Sequence, residues 1–337
     1  MTVTVQALTD PDEFAAQAEA ALAQDPVRYS IIATALRRAR AGGSPGPSRW
    51  WIARDDDGRT VGLALYTRSG RPYLVAGSEH GQAFGAAVAA DLATDRAVGP
   101  LADGVTGVNG FIAAARGFAQ EWVRRRPGHV VRAGREDLLY ELPGPVRMPH
   151  GVPGRARVAT EADRAWLDDW GRAFIREIGD PPDPTVTMEQ PLTEGRVIVW
   201  ELPRDSELPA DATTDRAEDA RAQSVPTTGS LPVLTPLSDR GAAAIAALPA
   251  EPVAMTYATA PLYGHTRLSW VWTSPEHRRR GFGAAVTAAV SHDAESDGVR
   301  CLLVADAADA ASNALYRRLG YQSVDEACHL HFVRAPA

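Results

Sequence analysis

Apolar positions recur at helical spacing from Asp12 to Arg40 and stop at Gly42–Gly43, which predicts a helix over that stretch. Shorter apolar and alternating runs at Arg49–Ala53, Val61–Thr67 and Pro72–Ala76 predict strands, the first two joined by the turn Asp55-Asp56-Asp57-Gly58. Helical spacing returns over Gln82–Ala93 and Phe111–Arg125, and Asp137–Leu142 reads as a closing strand. Pro143 to Gly154 is a Pro- and Gly-rich connector without periodicity, which predicts a domain boundary.

The second unit has the same grammar. Arg155–Ala159 predicts a strand, and Thr160 caps a helix with Glu161 and Asp163 in its first turn, running to about Ile178. Strand Arg196–Leu202 follows, then an aperiodic Asp-, Ala-, Thr-, Ser- and Pro-rich stretch over 203–250 that reads as a flexible insertion in a hairpin. Strands Val253–Ala258 and Thr266–Thr273, helix Phe282–Glu295, strand Val299–Ala305, helix Ala311–Leu319 and strand Glu326–Val333 complete it. The expected organisation is therefore a domain over 1–142, a linker over 143–154 and a domain over 155–334, with an order of elements that suggests duplication.

Composition narrows the function. The 337 residues suit two medium-sized domains, and 45% hydrophobic with 23% charged residues is a globular balance. A net charge of −7 disfavours a duplex nucleic-acid binder. No apolar run approaches the roughly 18 residues of a membrane span, and Met1 to Asp10 lacks a signal-peptide pattern, so a cytoplasmic location is expected. Cys301 and Cys328 are too few for a disulfide framework or a four-thiolate zinc site. All 35 basic residues are arginine. Without a lysine amine there is no Schiff-base nucleophile, no pyridoxal phosphate anchor and no Walker A loop.

The segment Val271-Trp272-Thr273-Ser274-Pro275-Glu276-His277-Arg278-Arg279-Arg280-Gly281-Phe282-Gly283-Ala284 carries the chemistry. A strand ends at Pro275, a basic turn follows, and glycines open an Ala-rich helix. Unpaired amides at a helix start meet the positive end of its dipole and suit a phosphate, and Gly281 and Gly283 remove Cβ atoms that would hold an anion away. A dipole alone contributes roughly 0.3–1 kcal/mol near a surface, so several amides and arginines must act together. The run lacks the full G-x-G-x-x-G spacing of a dinucleotide loop.

Arg278-x-x-Gly281-x-Gly283 resembles the Q/R-x-x-G-x-G/A pyrophosphate loop of the GNAT acyltransferase superfamily, with the preceding V-x-T-x-P strand end. Further on, Ser312-Asn313-Ala314-Leu315-Tyr316-Arg317-Arg318-Leu319-Gly320-Tyr321 is similar to the family's N-x-x-Y-x-x-x-G-[FY] helix after strand five. The resemblance covers about residues 155–334, with residues 1–142 as the degenerate partner of a tandem GNAT protein. It implies an α+β fold of two GNAT-like domains, each a mixed, mostly antiparallel twisted sheet flanked by helices. It also implies transfer of an acetyl group from acetyl-CoA to a primary amine, small molecule or peptide, by direct attack in a ternary complex without a metal. A non-catalytic coenzyme A-binding or protein-interaction module is the alternative. Under the resemblance, amides of Arg279, Arg280, Gly281, Phe282, Gly283 and Ala284 would hold the pyrophosphate after Arg278, while the backbone of Val271, Trp272 and Thr273 would pair with the pantetheine arm. An amide near Trp272 would polarise the thioester carbonyl. Tyr316 would protonate the leaving thiolate, and Asn313 would bond the pantetheine amide or cap its helix. Where relatives often have Asn-Pro ahead of this helix, this chain has Asp309-Ala310.

Other signals weigh less. Gln82-Ala83-Phe84-Gly85-Ala86-Ala87 repeats the loop pattern in the first unit, but no arginine cluster precedes it, and the helix from Phe111 has no tyrosine at the acid position. His329 and His331 share a strand face and could chelate a metal, but no third ligand is evident. Glu276, His265, Glu189, Asp168 and Asp169 are candidate general bases, none preferred. Trp166, Trp170 and Trp200 read as acceptor walls or core, and Cys301 as a buried strand residue.

Overall fold

A computed structural model describes residues 3–43, 49–67, 70–94, 104–179, 188–203 and 250–335. The insertion expected over 203–250 lies, but for its two end residues, outside the described residues. The N-terminal half contains β1 (Thr4–Leu8), α1 (Pro11–Gln24), α2 (Ser30–Arg40), β2 (Arg49–Arg54), β3 (Thr60–Tyr66), β4 (Tyr73–Ala76), α3 (Ser78–Thr94), β5 (Gly107–Phe111), α4 (Ile112–Arg125) and β6 (His129–Glu141). The C-terminal half contains β7 (Arg155–Val158), α5 (Arg164–Glu177), α6 (Glu189–Thr193), β8 (Val197–Pro203), β9 (Ala250–Ala258), β10 (His265–Thr273), α7 (Phe282–Ser296), β11 (Arg300–Asp306), α8 (Ala310–Leu319) and β12 (Gln322–Arg334).

Local chemistry accounts for the boundaries. The single run expected over Asp12–Arg40 is two helices because Asp25-Pro26 interrupts it; the Asp25 carboxylate accepts from the Arg28 amide at 3.1 Å and organises the turn. Thr160 forms a capping box, in which Asp163 Oδ2 accepts from the Thr160 amide at 2.7 Å, but it opens a 3-10 turn over Glu161–Asp163 that leads into α5 at Arg164. Asp163 also takes a two-pronged contact from Arg157 at 2.7 and 2.8 Å, which fixes the start of α5 against β7.

The twelve strands form one sheet in the order β1-β2-β3-β4-β5-β12-β6-β11-β10-β9-β8-β7. It is mostly antiparallel, with parallel pairs only at β4·β5 and β10·β11 among the described residues. The centre is reciprocal. β11, α8 and β12 make a crossover whose two strands are parallel to each other but not adjacent; β6 from the other half fills the place between them, antiparallel to both. In the same way β12 fills the gap between β5 and β6. Each half's sheet is thus completed by the other half's last strand, an arrangement that local sequence patterns do not report.

Helices cover both faces. Phe14, Leu22, Ile32 and Leu36 of α1 and α2 pack on Trp50, Ile52, Leu63, Phe111 and Leu139, and this core reaches Val304 and Val324 of the C-terminal half. Leu167 and Leu192, from α5 and α6, pack on Val197, Val199, Met255 and Trp272. Phe84 and Val88 of α3 with Phe118 and Trp122 of α4 cover the opposite face, as do Phe282, Val286 and Val290 of α7 and Leu319 of α8 beside Trp200 and Cys301. Trp200 is core, donating to the Pro153 carbonyl at 2.8 Å, and is no wall of a site.

Burial pushes the Cys301 thiol from its ordinary value near 9 up to about 12, with hydrogen bonds to Ser291 and Tyr321 opposing the shift. Burial likewise raises the Tyr29 phenol to about 12. Both groups are held neutral in the fold, so their contribution is complete below the unfolded values and is lost as pH rises through the folded ones. Thermal stability should therefore decline steeply from about pH 9 to 12, with a shallower slope in Cys301→Ala. Equal slopes in the two proteins would show that the thiol does not take part.

Candidate active site

β10 and β11 run parallel in register only from His265↔Arg300 to Leu268↔Leu303. Beyond Leu268 the two strands are unpaired with each other, while β10 stays paired to β9 at Trp272↔Met255 and Thr273↔Ala254. The result is a V with an open backbone edge over Ser269–Thr273. A bulge between Ser269 and Trp272 sits at this opening, with Trp270 held at φ 56°, a conformation bulky residues rarely adopt. Leu268 and Val271 consequently pack on the same face although three residues apart. Trp270 and Trp272 face the other way, 5.7 and 6.4 Å from the Phe174 ring. Trp272 Nε1 is buried with no hydrogen-bond partner among the described residues.

The turn after β10 is built by a 3-10 turn at Pro275–His277, closed by the Ser274 hydroxyl and His277 Nδ1 at 2.8 Å. Arg279 at φ 61° and Gly281 at φ 84° then carry the chain sharply into α7. Gly281 is the N-cap residue and offers no side chain, so the first amides of α7 have no side-chain cap. Any other residue at Gly281 would carry roughly 1 kcal/mol of left-handed strain and would place its Cβ 3.0 Å from Val152. Gly283 faces the V: a Cβ there would lie 3.2 Å from Thr273 Oγ1 and 3.7 Å from Leu315 of α8.

The three arginines of the turn have different surroundings. Arg278 donates to the Thr273 carbonyl at 3.1 Å, pairs with Glu177 at 2.7 Å and lies 4.6 Å above the Trp272 ring. Its charge is thereby tied to α5. Arg279 is exposed, and Arg280 stacks 5.7 Å from the Phe282 ring. Arg279 and Arg280 are the cations left beside the uncapped amides.

Across the V, α8 is capped by Asp309, which accepts from the Ala311 and Ser312 amides at 3.1 Å each. Tyr316 is buried, at 6.0 Å between ring centroids from Tyr140 and 6.1 Å from Tyr321. Burial pushes its phenol well above the ordinary tyrosine value, with the nearby negative charge of Asp309 adding to the rise. Asn313 is used structurally on both sides of its amide. It donates to the carbonyls of Asp306 at 2.8 Å and Ala307 at 3.2 Å, and accepts from the Tyr140 hydroxyl at 3.0 Å. Tyr140 belongs to β6, so the N-terminal half supplies a wall of this region; reading the motif alone misses it, because its neighbours come from the strand exchange.

Three of the candidate bases are engaged or turned elsewhere. Glu276 is 65% exposed beside His277, Asp169 pairs with Arg172, and His265 lies at the closed end of the V, its Nδ1 2.9 Å from the Tyr263 carbonyl. His329 Nε2 pairs with Asp137 at 2.7 Å, and His331 contacts Arg71 at 3.2 Å. Among the described residues no group of three or more His, Cys, Asp or Glu could hold a metal, and no helix is long and apolar enough to cross a membrane.

The N-terminal half has its own V, since β4 and β5 pair only at Tyr73↔Asn109 and Leu74↔Gly110. There, however, the two flanking helices touch. A Cβ at Gly85 would collide with the Ala114 carbonyl, and one at Gly117 with the Gln82 carbonyl. The Q-x-x-G-x-A glycine of α3 thus serves backbone-to-backbone packing against α4.

This architecture matches known proteins along its whole length. A GCN5-related N-acetyltransferase from Sphaerobacter thermophilus superposes with a TM-score of 0.52 at 14% identity, covering 99% of this chain and 97% of that one. A Drosophila protein superposes with a TM-score of 0.51 at 12% identity, covering 98% of each chain. No curated protein matches by sequence. The chain has the GNAT fold, in tandem. Within it, residues 250–330, which hold the V and both motifs, match the FR47-like protein family model.

Proposed function

We propose that the C-terminal half, residues 155–334, is an N-acetyltransferase unit that moves an acetyl group from acetyl-CoA to a primary amine, with residues 1–142 as its partner domain and 143–154 as the linker. The observation that carries this reading is the V beyond Leu268, with an open strand edge on one side and the uncapped, glycine-lined start of α7 at its mouth. The α7 amides, Arg279 and Arg280 would hold the diphosphate of acetyl-CoA, and the free edge Val271–Thr273 would pair with the pantetheine amides as an added strand. Arg278 would act indirectly, holding the turn onto α5 through Glu177. Asn313 would shape the opposite wall through Tyr140 and the end of β11.

The thioester carbonyl would lie at the bulge, where an unpaired amide can stabilise the developing oxyanion. The neutral amine attacks that carbon directly to give a tetrahedral oxyanion. The nitrogen then releases its extra proton to solvent water, and the carbon–sulfur bond breaks as the carbonyl re-forms. Tyr316, kept protonated by burial across the neutral range, donates to the departing sulfur, and solvent returns a proton to it afterwards. Cys301 is buried and neutral, which supports direct attack over an acyl-cysteine route. The contact of α3 with α4 supports a single cofactor site, in the C-terminal half. Two unbridged, buried cysteines fit the cytoplasm.

The test is acetyl-CoA binding measured beside thiol release on a panel of primary amines. Tyr316→Phe should lower turnover by roughly 10²–10⁴-fold with little change in acetyl-CoA affinity. A variant at full speed would move the acid role to water. Tight binding with no turnover on any amine would favour the non-catalytic coenzyme A-binding module.

A further inference from the structure

The face of the sheet where an acceptor would approach is not made by the C-terminal half alone. Trp270, at the bulge, and Tyr257, on β9, line a cleft whose far side is α2 of the N-terminal half, with Arg37 and Arg38 on it. Glu194 and Arg196 line it as well. The one carboxylate among these is already committed, since Glu194 lies 3.3 Å from Arg196. The remaining charge is that of Arg37 of α2, on a chain whose net charge is −7. The helix dipole favours cations in the last turn of a helix, which suffices for the neighbouring Arg40, paired with Asp12 at 2.6 Å on the surface. The Arg37 side chain instead faces the cleft, with no hydrogen bond or ion pair among the described residues, while its carbonyl accepts from the Ala41 amide at 3.1 Å.

A second observation points the same way. An adjoining pocket shares Thr34, Thr259 and Ala260 with the cleft and is lined by Arg267 of β10. Arg267 Nη1 is buried without a hydrogen-bond partner among the described residues. A buried, unsatisfied donor of this kind is costly, and an oxyanion nearby offsets that cost through charge-assisted hydrogen bonds.

We propose that the acceptor is a primary amine that also bears an anionic group, a carboxylate or a phosphate, held by Arg37 of α2 while its amine reaches the bulge at Trp270. This rests on the acyl-transfer reading above. It gives the N-terminal half a direct part in substrate choice although its own V is closed by helix packing.

The experiment measures thiol release from acetyl-CoA with matched acceptors: an α-amino acid against its amide, and phosphoethanolamine against ethanolamine. The expected result is a kcat/KM at least about tenfold higher for the charged member of one pair, the size of one charge-assisted contact. Which pair shows it tells carboxylate from phosphate. Arg37→Gln should remove that preference, leave the rate on the neutral partner unchanged, and be largely rescued by Arg37→Lys. Turnover without charge preference, or a preference that survives in Arg37→Gln, overturns the inference and leaves the acyl-transfer reading standing. Absence of turnover on every acceptor overturns that reading, and this inference with it.

Discussion

Gly283→Asp is expected to abolish acetyl-CoA binding while leaving the protein folded. The backbone at Gly283 is not in the left-handed region, so a side chain is conformationally allowed. The new Cβ would meet the Thr273 hydroxyl at 3.2 Å, Leu315 at 3.7 Å and Val271 at 4.0 Å, side-chain contacts that small adjustments can relieve. What changes is charge. A carboxylate at the mouth of the V would stand against the diphosphate in the one place where unpaired amides and Arg279 and Arg280 converge. Two unit charges about 4 Å apart at an effective dielectric near 20 repel by roughly 4 kcal/mol, or about three powers of ten in affinity. Gly283→Asn has nearly the same shape without the charge and should lose much less, and Gly283→Ala less still. Calorimetric titration with acetyl-CoA, alongside melting temperatures for all three variants, measures the series. Wild-type affinity in Gly283→Asp would sink the placement of the diphosphate. Equal losses in Asn and Asp would make obstruction, not charge, the cause.

The two motifs were legible because each is local. The helix start at Gly281 and the N-cap at Asp309 are set by a few consecutive residues, so strand, turn and helix fall at 265–296 and 310–334 within a few positions of the sequence reading. Two strands had no such signature. β1 is a short edge strand, and β5 reads Gly-Val-Asn-Gly-Phe, whose glycines look like turn residues. They are there because neighbouring backbones come very close: a Cβ at Gly107 would collide with the Leu330 carbonyl, and one at Gly110 with that of Leu74. β6 begins eight residues ahead of the expected start at Asp137, because its first half, exposed and rich in Arg, is ordered by pairing with β12. The roles of Arg278 and Asn313 also depend on distant partners, Glu177 and Tyr140, that no spacing rule supplies. Long-range pairing is the common cause of what the sequence hides here.

That same pairing predicts that residues 143–337, produced without the N-terminal half, will not form a soluble folded protein with acetyl-CoA affinity. Removing β6 leaves the place between β11 and β12 empty, a gap of two strand spacings, or about 10 Å. β11 would lose its partner over Leu302–Asp306, and β12 would lose both neighbours, since β5 goes as well. For β12 to close on β11 it would have to form a new parallel pair in another register, dragging α8 and Tyr316 with it. Tyr140 would also vanish from between Tyr316 and Asn313, leaving a cavity the size of a tyrosine and an unsatisfied amide oxygen at the wall of the V. Large-to-small losses of that kind in a core cost about 3–5 kcal/mol before the unpaired strands are counted, against a total stability of roughly 5–15 kcal/mol for a typical domain. Co-expressing residues 1–142 and 143–337 as separate chains should restore a soluble one-to-one complex that binds acetyl-CoA, because the exchange needs both last strands and not the covalent linker between the halves. A monomeric, cooperatively melting 143–337 fragment with full-length affinity would show that β6 is dispensable and that the C-terminal half completes its own sheet.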